Sequence, residues 1–297
     1  MPDSTLDLDL RGLRIRARLS GPEGATPCLL LHGWLDTGAS FDRLAPLLHS
    51  KDLRTVALDL RGHGDSAWVG AGGFYHFVEY LADIDAALDS LQLALPTGLN
   101  STVPTPIRIV GHSMGASLAL LYAATRPARV SHVALLDGMP FVVQPAEVPA
   151  RLVEYLDELK SIPRKRRTVP SLEHAVERLR KASPALRLDA ALELASAGIS
   201  EDPTQDHKLA WKWDPWLRVH SPLPFTDDIL DALYPLVRAH VLIVRAGATW
   251  LPEETDLRIK LKTLFAPLDI HTLTDTSHHL HIEEPARVAE LIHAAWR

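Results

Sequence analysis

The sequence predicts an α/β protein built on a mostly parallel sheet flanked by helices, with one mostly helical insertion. Three observations predict it. Short, continuous apolar runs recur along the chain, helical apolar stripes fill the gaps between them, and one run gives way to a helix through a glycine-flanked serine. Continuous rather than alternating apolarity suits strands covered on both faces, as in a parallel sheet.

Taken in order, the chain opens with alternation. Leu6, Leu8 and Leu10, then Leu13, Ile15, Ala17 and Leu19, flank Gly12, the pattern of an antiparallel hairpin with one buried face. Buried strands follow at Cys28 to Leu31 and at Val56 to Leu58. Phe77, Leu81, Ile84, Leu88 and Leu91 mark one face of a helix. Pro96 to Pro106 reads as a polar loop too short to link domains. Ile107 to Val110 is the next strand, Ala116 to Ala124 a helix, and Val133 to Leu136 a strand again. Residues 139–225 break this rhythm with many prolines, the basic run Arg164-Lys165-Arg166-Arg167 and helical patterns without clear strands. They read as a helical cap over one end of a core formed by 1–138 and 226–297, with the basic run as a solvated face of the cap. A strand at Val241 to Val244 and a helix through Val288, Leu291, Ile292 and Ala295, with Pro285 near its start, complete the chain.

Composition sets the limits on partners. Of 297 residues, 46% are hydrophobic and 23% charged, ordinary proportions for a folded globular chain. A formal charge of −6 removes the usual electrostatic basis for binding nucleic acid. Cys28 is the one cysteine, so no intrachain disulfide forms, and its place in an apolar run predicts a buried thiol. The first residues lack the basic and apolar stretches of a signal peptide. The stretch from Ala116 to Ala124 is roughly half the length of a membrane helix. A soluble, cytoplasmic protein without membrane contact is expected.

The chemistry concentrates at two places. Gly111-His112-Ser113-Met114-Gly115 sits between a strand and a helix, where glycines allow a turn tight enough to expose the serine hydroxyl near the helix N-terminus. The backbone N–H of Met114 then faces a developing oxyanion. Serine at its own pKa is a poor nucleophile and needs a base held by a third group. Thr276-Ser277-His278-His279-Leu280-His281, before the final helix, supplies the base: His278 first, His279 second. These histidines lack zinc-type spacing such as H-E-x-x-H, so no metal site is expected. His32-Gly33-Trp34 offers the second oxyanion donor, the N–H of Trp34, with its ring free to line a pocket.

Together these residues resemble the α/β-hydrolase superfamily. His32 to Asp36 is similar to its oxyanion loop, Asp59-Leu60-Arg61-Gly62-His63-Gly64-Asp65-Ser66 to the turn after its next strand, and Gly111 to Gly115 to its nucleophile elbow. Ser277-His278 with Glu283 and Pro285 resembles its histidine loop. Leu136-Asp137-Gly138, Trp213-Asp214-Pro215 and the doubled histidine resemble the serine-hydrolase-like, carboxylesterase branch. The likeness implies an α/β-hydrolase fold with an eight-stranded, mostly parallel sheet. Many members carry their acid after the strand matching Val241 to Val244, but here Arg245-Ala246-Gly247-Ala248-Thr249 puts threonine there. Some branches place it where Asp137 stands, 24 residues after Ser113. The chain order Ser113, Asp137, His278 is then kept, with Glu253 or Glu254 as the alternative acid.

The expected activity is hydrolysis of a small-molecule carboxylic ester or related acyl compound, with no cofactor. Lactone, thioester or carbon–carbon bond chemistry on the same fold, and ligand binding with little turnover, are the alternatives. Trp34, His112, Trp211, Trp213 and Trp216 are the candidate pocket residues. Asp59 and Asp65, beside glycines, are expected to fix backbone rather than react.

Overall fold

The computed structural model describes residues 2–49, 53–94, 106–222, 225–261 and 267–297, so most of the loop expected at Pro96 to Pro106 lies outside the described residues. The N-terminal hairpin pairs β1 (Ser4–Leu10) with β2 (Leu13–Ser20), Leu10 opposite Leu13. Its two turn residues, Arg11 and Gly12, both have positive φ, 58° and 82°, the geometry that matches strand twist in a two-residue hairpin. Next come β3 (Thr26–Leu31), helix α1 (Ala45–Leu48), β4 (Leu53–Leu58) and helix α2 (Phe77–Ala94). They are followed by β5 (Ile107–His112), α3 (Met114–Thr125) and β6 (Val130–Leu136).

Residues 139–225 hold α4 (Val148–Ser161), α5 (Leu172–Ala182), α6 (Leu188–Gly198), and a hairpin of β7 (Ile199–Asp202) with β8 (Lys208–Trp211). The hairpin corrects the expectation of a segment without strands. The chain ends with α7 (Asp227–Leu233), β9 (His240–Ala246), α8 (Glu254–Leu261), β10 (Leu268–Leu273), α9 (Leu280–Glu283) and α10 (Pro285–Ala295).

Eight strands form one sheet in the order β1-β2-β4-β3-β5-β6-β9-β10, antiparallel at β1-β2 and β2-β4 and parallel elsewhere. Alternate residues of each central strand feed different cores. Leu29 and Leu31 join one apolar cluster with side chains of α2 and α3, whereas Cys28 and Leu30 join the other with α1 and α10. Burial on both faces explains why these strands read as unbroken apolar runs. Burial also pushes the Cys28 thiol up to about 12, so it stays protonated and inert. No described helix is long and apolar enough to cross a membrane.

Parallel pairing brings the carboxyl ends of β3, β4, β5, β6, β9 and β10 to one rim. Segment 139–225 is tied to that rim by polar contacts. Trp34 Nε1–H donates to the Leu217 carbonyl at 2.9 Å, and Asp214 N–H donates to the Gly62 carbonyl at 2.8 Å. Arg43 pairs with Glu193 at 2.5 Å, and Lys212 with Asp65 at 2.6 Å.

Candidate active site

Ser113 sits between β5 and α3 with φ 52° and ψ −114°, a conformation costly for any residue with a Cβ. Two close approaches require the glycines around it. A methyl on Gly111 would collide with the Gly115 carbonyl, and one on Gly115 with the Leu31 carbonyl of the neighbouring strand. The turn is further held by the Ser113 N–H, which donates to the Leu136 carbonyl at 3.0 Å. Gly33 lies directly against it, since a Cβ there would stand 3.3 Å from the Ser113 Cβ. Among the described residues, the N–H groups of Trp34 and Met114 donate to no protein acceptor.

The loop after β3 is braced from behind by His32, which accepts from Leu60 N–H at Nε2 (2.9 Å) and donates from Nδ1 to the Gly33 carbonyl (2.7 Å). Both bonds need the neutral ring, and burial lowers its pKa to about 4.

Asp137, fully buried, follows β6 with φ 46°. Its N–H donates to the Val244 carbonyl at 2.8 Å and its Oδ1 accepts from Ala246 N–H at 2.9 Å. Its Oδ2 accepts from His278 Nδ1 at 2.7 Å. Glu253 and Glu254 are elsewhere: Glu253 is exposed and pairs with Arg245 at 3.6 Å, and Glu254 accepts from Thr272 Oγ1 at 3.1 Å. Thr249, at the vacant acid position, accepts from Leu251 N–H at 3.1 Å and shapes its own loop.

The histidine loop is fixed by Glu283, which accepts from Ser277 N–H and Ser277 Oγ–H at 2.7 Å each and from Arg187 N–H at 3.1 Å. His112 is not a pocket residue. It is 1% exposed, and its Nε2–H donates to the His278 carbonyl at 2.9 Å, so it supports the loop from below. His112, His279 and His281 are all held neutral by burial, His279 at about 3.

A cavity of about 370 Å³ opens beside Ser113 and Met114, lined by Trp34, Phe77, Tyr80, Met139, Phe141 and Trp250 among others. A second, of about 510 Å³, shares Trp34, Arg218 and His220 with it. The tryptophan expectations are corrected in three of four cases. Trp211 and Trp213 stack at 6.1 Å inside the core, 5% and 6% exposed. Trp216 lines neither of these two cavities: it stacks on Phe74, donates Nε1–H to the Ile162 carbonyl at 3.0 Å and carries the Arg164 guanidinium over its ring. Phe141 and Trp250, missed in the sequence, follow β6 and β9, and the signal for them was their place just past strands that end at the rim.

Asp59 fixes backbone as expected, accepting from Gly38 N–H at 2.7 Å and Asp65 N–H at 2.8 Å. The basic run is a solvated face only in part: Lys165 and Arg167 are exposed, but Arg164 and Arg166 are half-buried. Arg164 donates to the Val69 and Gly70 carbonyls and pairs with buried Asp214, and Arg166 donates to the Trp211 carbonyl and Ser200.

Residues 28–291 match the model of the alpha/beta hydrolase family. The chain is 30% identical to a serine hydrolase-like protein of Danio rerio, over 94% of this chain and 83% of that one. Among solved structures it is similar to the hypothetical protein PA1622 of Pseudomonas aeruginosa PAO1, 32% identical with TM-score 0.84 over 98% of this chain and 99% of the other. It is also similar to the thioesterase domain of the curacin biosynthetic pathway, 28% identical with TM-score 0.80 over 97% and 98%. With its eight-stranded sheet and the strained serine turn at the sheet's carboxyl rim, this chain belongs to the alpha/beta hydrolase family.

Proposed function

We propose that the protein is a serine hydrolase that cleaves carboxylic esters or related acyl compounds through Ser113, His278 and Asp137. His278 takes the Ser113 proton as Oγ attacks the acyl carbon, and the resulting oxyanion sits on the N–H groups of Trp34 and Met114. The carbon–oxygen bond to the leaving group then breaks, and His278 returns the proton to that group. Water, deprotonated by the same imidazole, releases the acid and restores Ser113. Asp137 keeps the proton of neutral His278 on Nδ1, so that Nε2 is free to act as base, and offsets the imidazolium charge.

One observation carries this reading: the 2.7 Å hydrogen bond between His278 Nδ1 and the buried Asp137 carboxylate, on the rim that also holds the strained serine. Trp34, Phe141 and Trp250 are each more than half exposed at the neighbouring cavity, which favours an apolar or aromatic acyl group there. Residues 139–225, which supply Met139, Phe141, Leu217 and Arg218 to that cavity, act as its cap. Thioesters are a second substrate class, favoured by the likeness to the curacin thioesterase domain.

A fluorophosphonate probe tests the reading. A covalent adduct is expected on the folded protein and absent from Ser113→Ala, with turnover on p-nitrophenyl esters or acyl thioesters lost in the same variant. Folded wild-type protein that takes no adduct would instead point to a ligand-binding role.

A further inference from the structure

Below the serine turn, three distant segments meet in a buried polar cluster. Asp36 comes from the loop after β3, His112 from the end of β5 and His281 from α9, and their donor atoms all lie within 4.8 Å of one another. The two rings are 1% and 0% exposed. Four atoms there are buried and without a hydrogen-bond partner: His112 Nδ1, both ring nitrogens of His281, and Asp36 Oδ2. Each orphaned buried polar atom costs ~1–3 kcal/mol, so a group of four calls for an occupant, and one ion taking a single donor from each residue would satisfy three of them.

The far sides of His112 and Asp36 are already committed, whereas His281 is held by neither ring nitrogen. The Nε2–H of His112 donates to the His278 carbonyl at 2.9 Å, which leaves the ring's lone pair on Nδ1. Asp36 Oδ1 accepts from Thr37 N–H at 2.7 Å, which leaves Oδ2. An imidazole whose other N–H is bound to a backbone carbonyl, beside a carboxylate held by one oxygen, is the usual support of a metal ligand.

We infer that Asp36, His112 and His281 form a binding site for one divalent transition metal ion of the zinc class. Two imidazoles and one carboxylate suit zinc or cobalt and disfavour calcium and magnesium, which prefer all-oxygen shells. Metal–ligand distances of ~2.1 Å place tetrahedral donors ~3.4 Å apart. Occupation therefore draws the donors together by about an ångström, leaving a fourth position open. Zinc-type spacing in the sequence could not reveal this site, because each ligand comes from a different, distant segment of the chain. A metal here touches no substrate, but it fixes His112, which precedes Ser113 and braces His278.

The test is titration of chelator-treated full-length protein with Co²⁺, followed by visible absorption and thermal unfolding. One equivalent is expected to bind, with d–d bands of an imidazole-ligated ion, displacement by Zn²⁺ and a higher Tm. Asp36→Asn and His281→Asn each remove a ligand and are expected to weaken Co²⁺ binding by about 100-fold or more, beyond the loss that an outer-shell partner gives, while keeping the far-UV spectrum. Wild type that binds no Co²⁺ and shows no Tm shift overturns the site and leaves a buried water as its occupant. Binding unchanged in both variants overturns it as well, assigning the ion to other histidines. Should the variants fail to fold, zinc-edge X-ray absorption of the wild type decides: two imidazoles and a carboxylate support the site, fewer than two imidazoles overturn it.

Discussion

Asp137 accepts a backbone conformation with φ 46° that costs about 1 kcal/mol or more for a non-glycine residue. That turn sets one carboxylate oxygen on Ala246 N–H and the other on His278 Nδ1. Replacing it by asparagine keeps the acceptor toward Ala246 but presents an NH₂ group to His278. The ring must then accept at Nδ1 and carry its proton on Nε2, where it cannot receive the proton of Ser113. Asp137→Asn is therefore expected to lower kcat by about three orders of magnitude or more with little change in Tm. Steady-state kinetics beside a melting curve check this, and near-normal turnover would move the acid role to another group. The roles proposed for Ser113 and His278 were legible because each residue lies in a short string whose turn and helix signals act within a few residues. Asp137 was legible only through chain order and the threonine at the other position. The supporting role of His112 was not, because the residue acts through a carbonyl 166 positions away.

At the scale of elements, the seam between segment 139–225 and the sheet rim is anchored by Asp214. Its carboxylate is fully buried and accepts from Tyr75 Oη at 2.7 Å, Trp216 N–H at 3.0 Å and Arg164 Nε at 3.3 Å. Removing it strands three donors, one of them on a partly buried guanidinium. Asp214→Ala is expected to cost about 3–5 kcal/mol in denaturant unfolding; a loss below about 1 kcal/mol would mean that the seam is held elsewhere. The elbow is equally intolerant. Gly115→Ala would drive a methyl into the Leu31 carbonyl of β3, so α3 must lift from the sheet. Loss of soluble folded protein, or a fall of several degrees in Tm, is expected; an unchanged Tm would contradict the close approach. The β7–β8 hairpin escaped the sequence reading because its four-residue strands are too short for alternation to register. Arg164 and Arg166 in the basic run misled for a related reason: charge alone does not tell a solvated arginine from one whose guanidinium is held by the carbonyls of another segment.

Across the whole molecule, buried neutral histidines make stability depend on acidity. Burial lowers the pKa of His32 to about 4, and that of His63, whose ring lies 5.0 Å from it, well below its ordinary value. The unfolded chain therefore takes up protons at these two positions below pH 6.5 while the folded chain does not, so stability falls as the pH drops toward 4. His112, His132, His279 and His281 are lowered in the same way, whereas Asp36, Asp59 and Glu193, raised by burial, act in the opposite sense, three carboxyls against six rings. A net loss of about 1 kcal/mol per pH unit or more is expected between pH 6.5 and 5. Denaturant melts at both pH values check it; constant or rising stability on acidification would show that these rings take up protons in the folded state. The sequence by itself determined the α/β class, seven of the eight strands of the main sheet (all but β10) and the strand-to-helix turn that carries Ser113. Apolar run length, turn glycines and helix stripes are local signals, written within a few residues of the structure they produce. Only the tertiary structure decided that two tryptophans belong to the core, that Phe141 and Trp250 border the cavity, and that Asp36, His112 and His281 converge. Those facts depend on which loops meet at the rim across more than two hundred residues of chain, and neither composition nor spacing encodes that meeting directly.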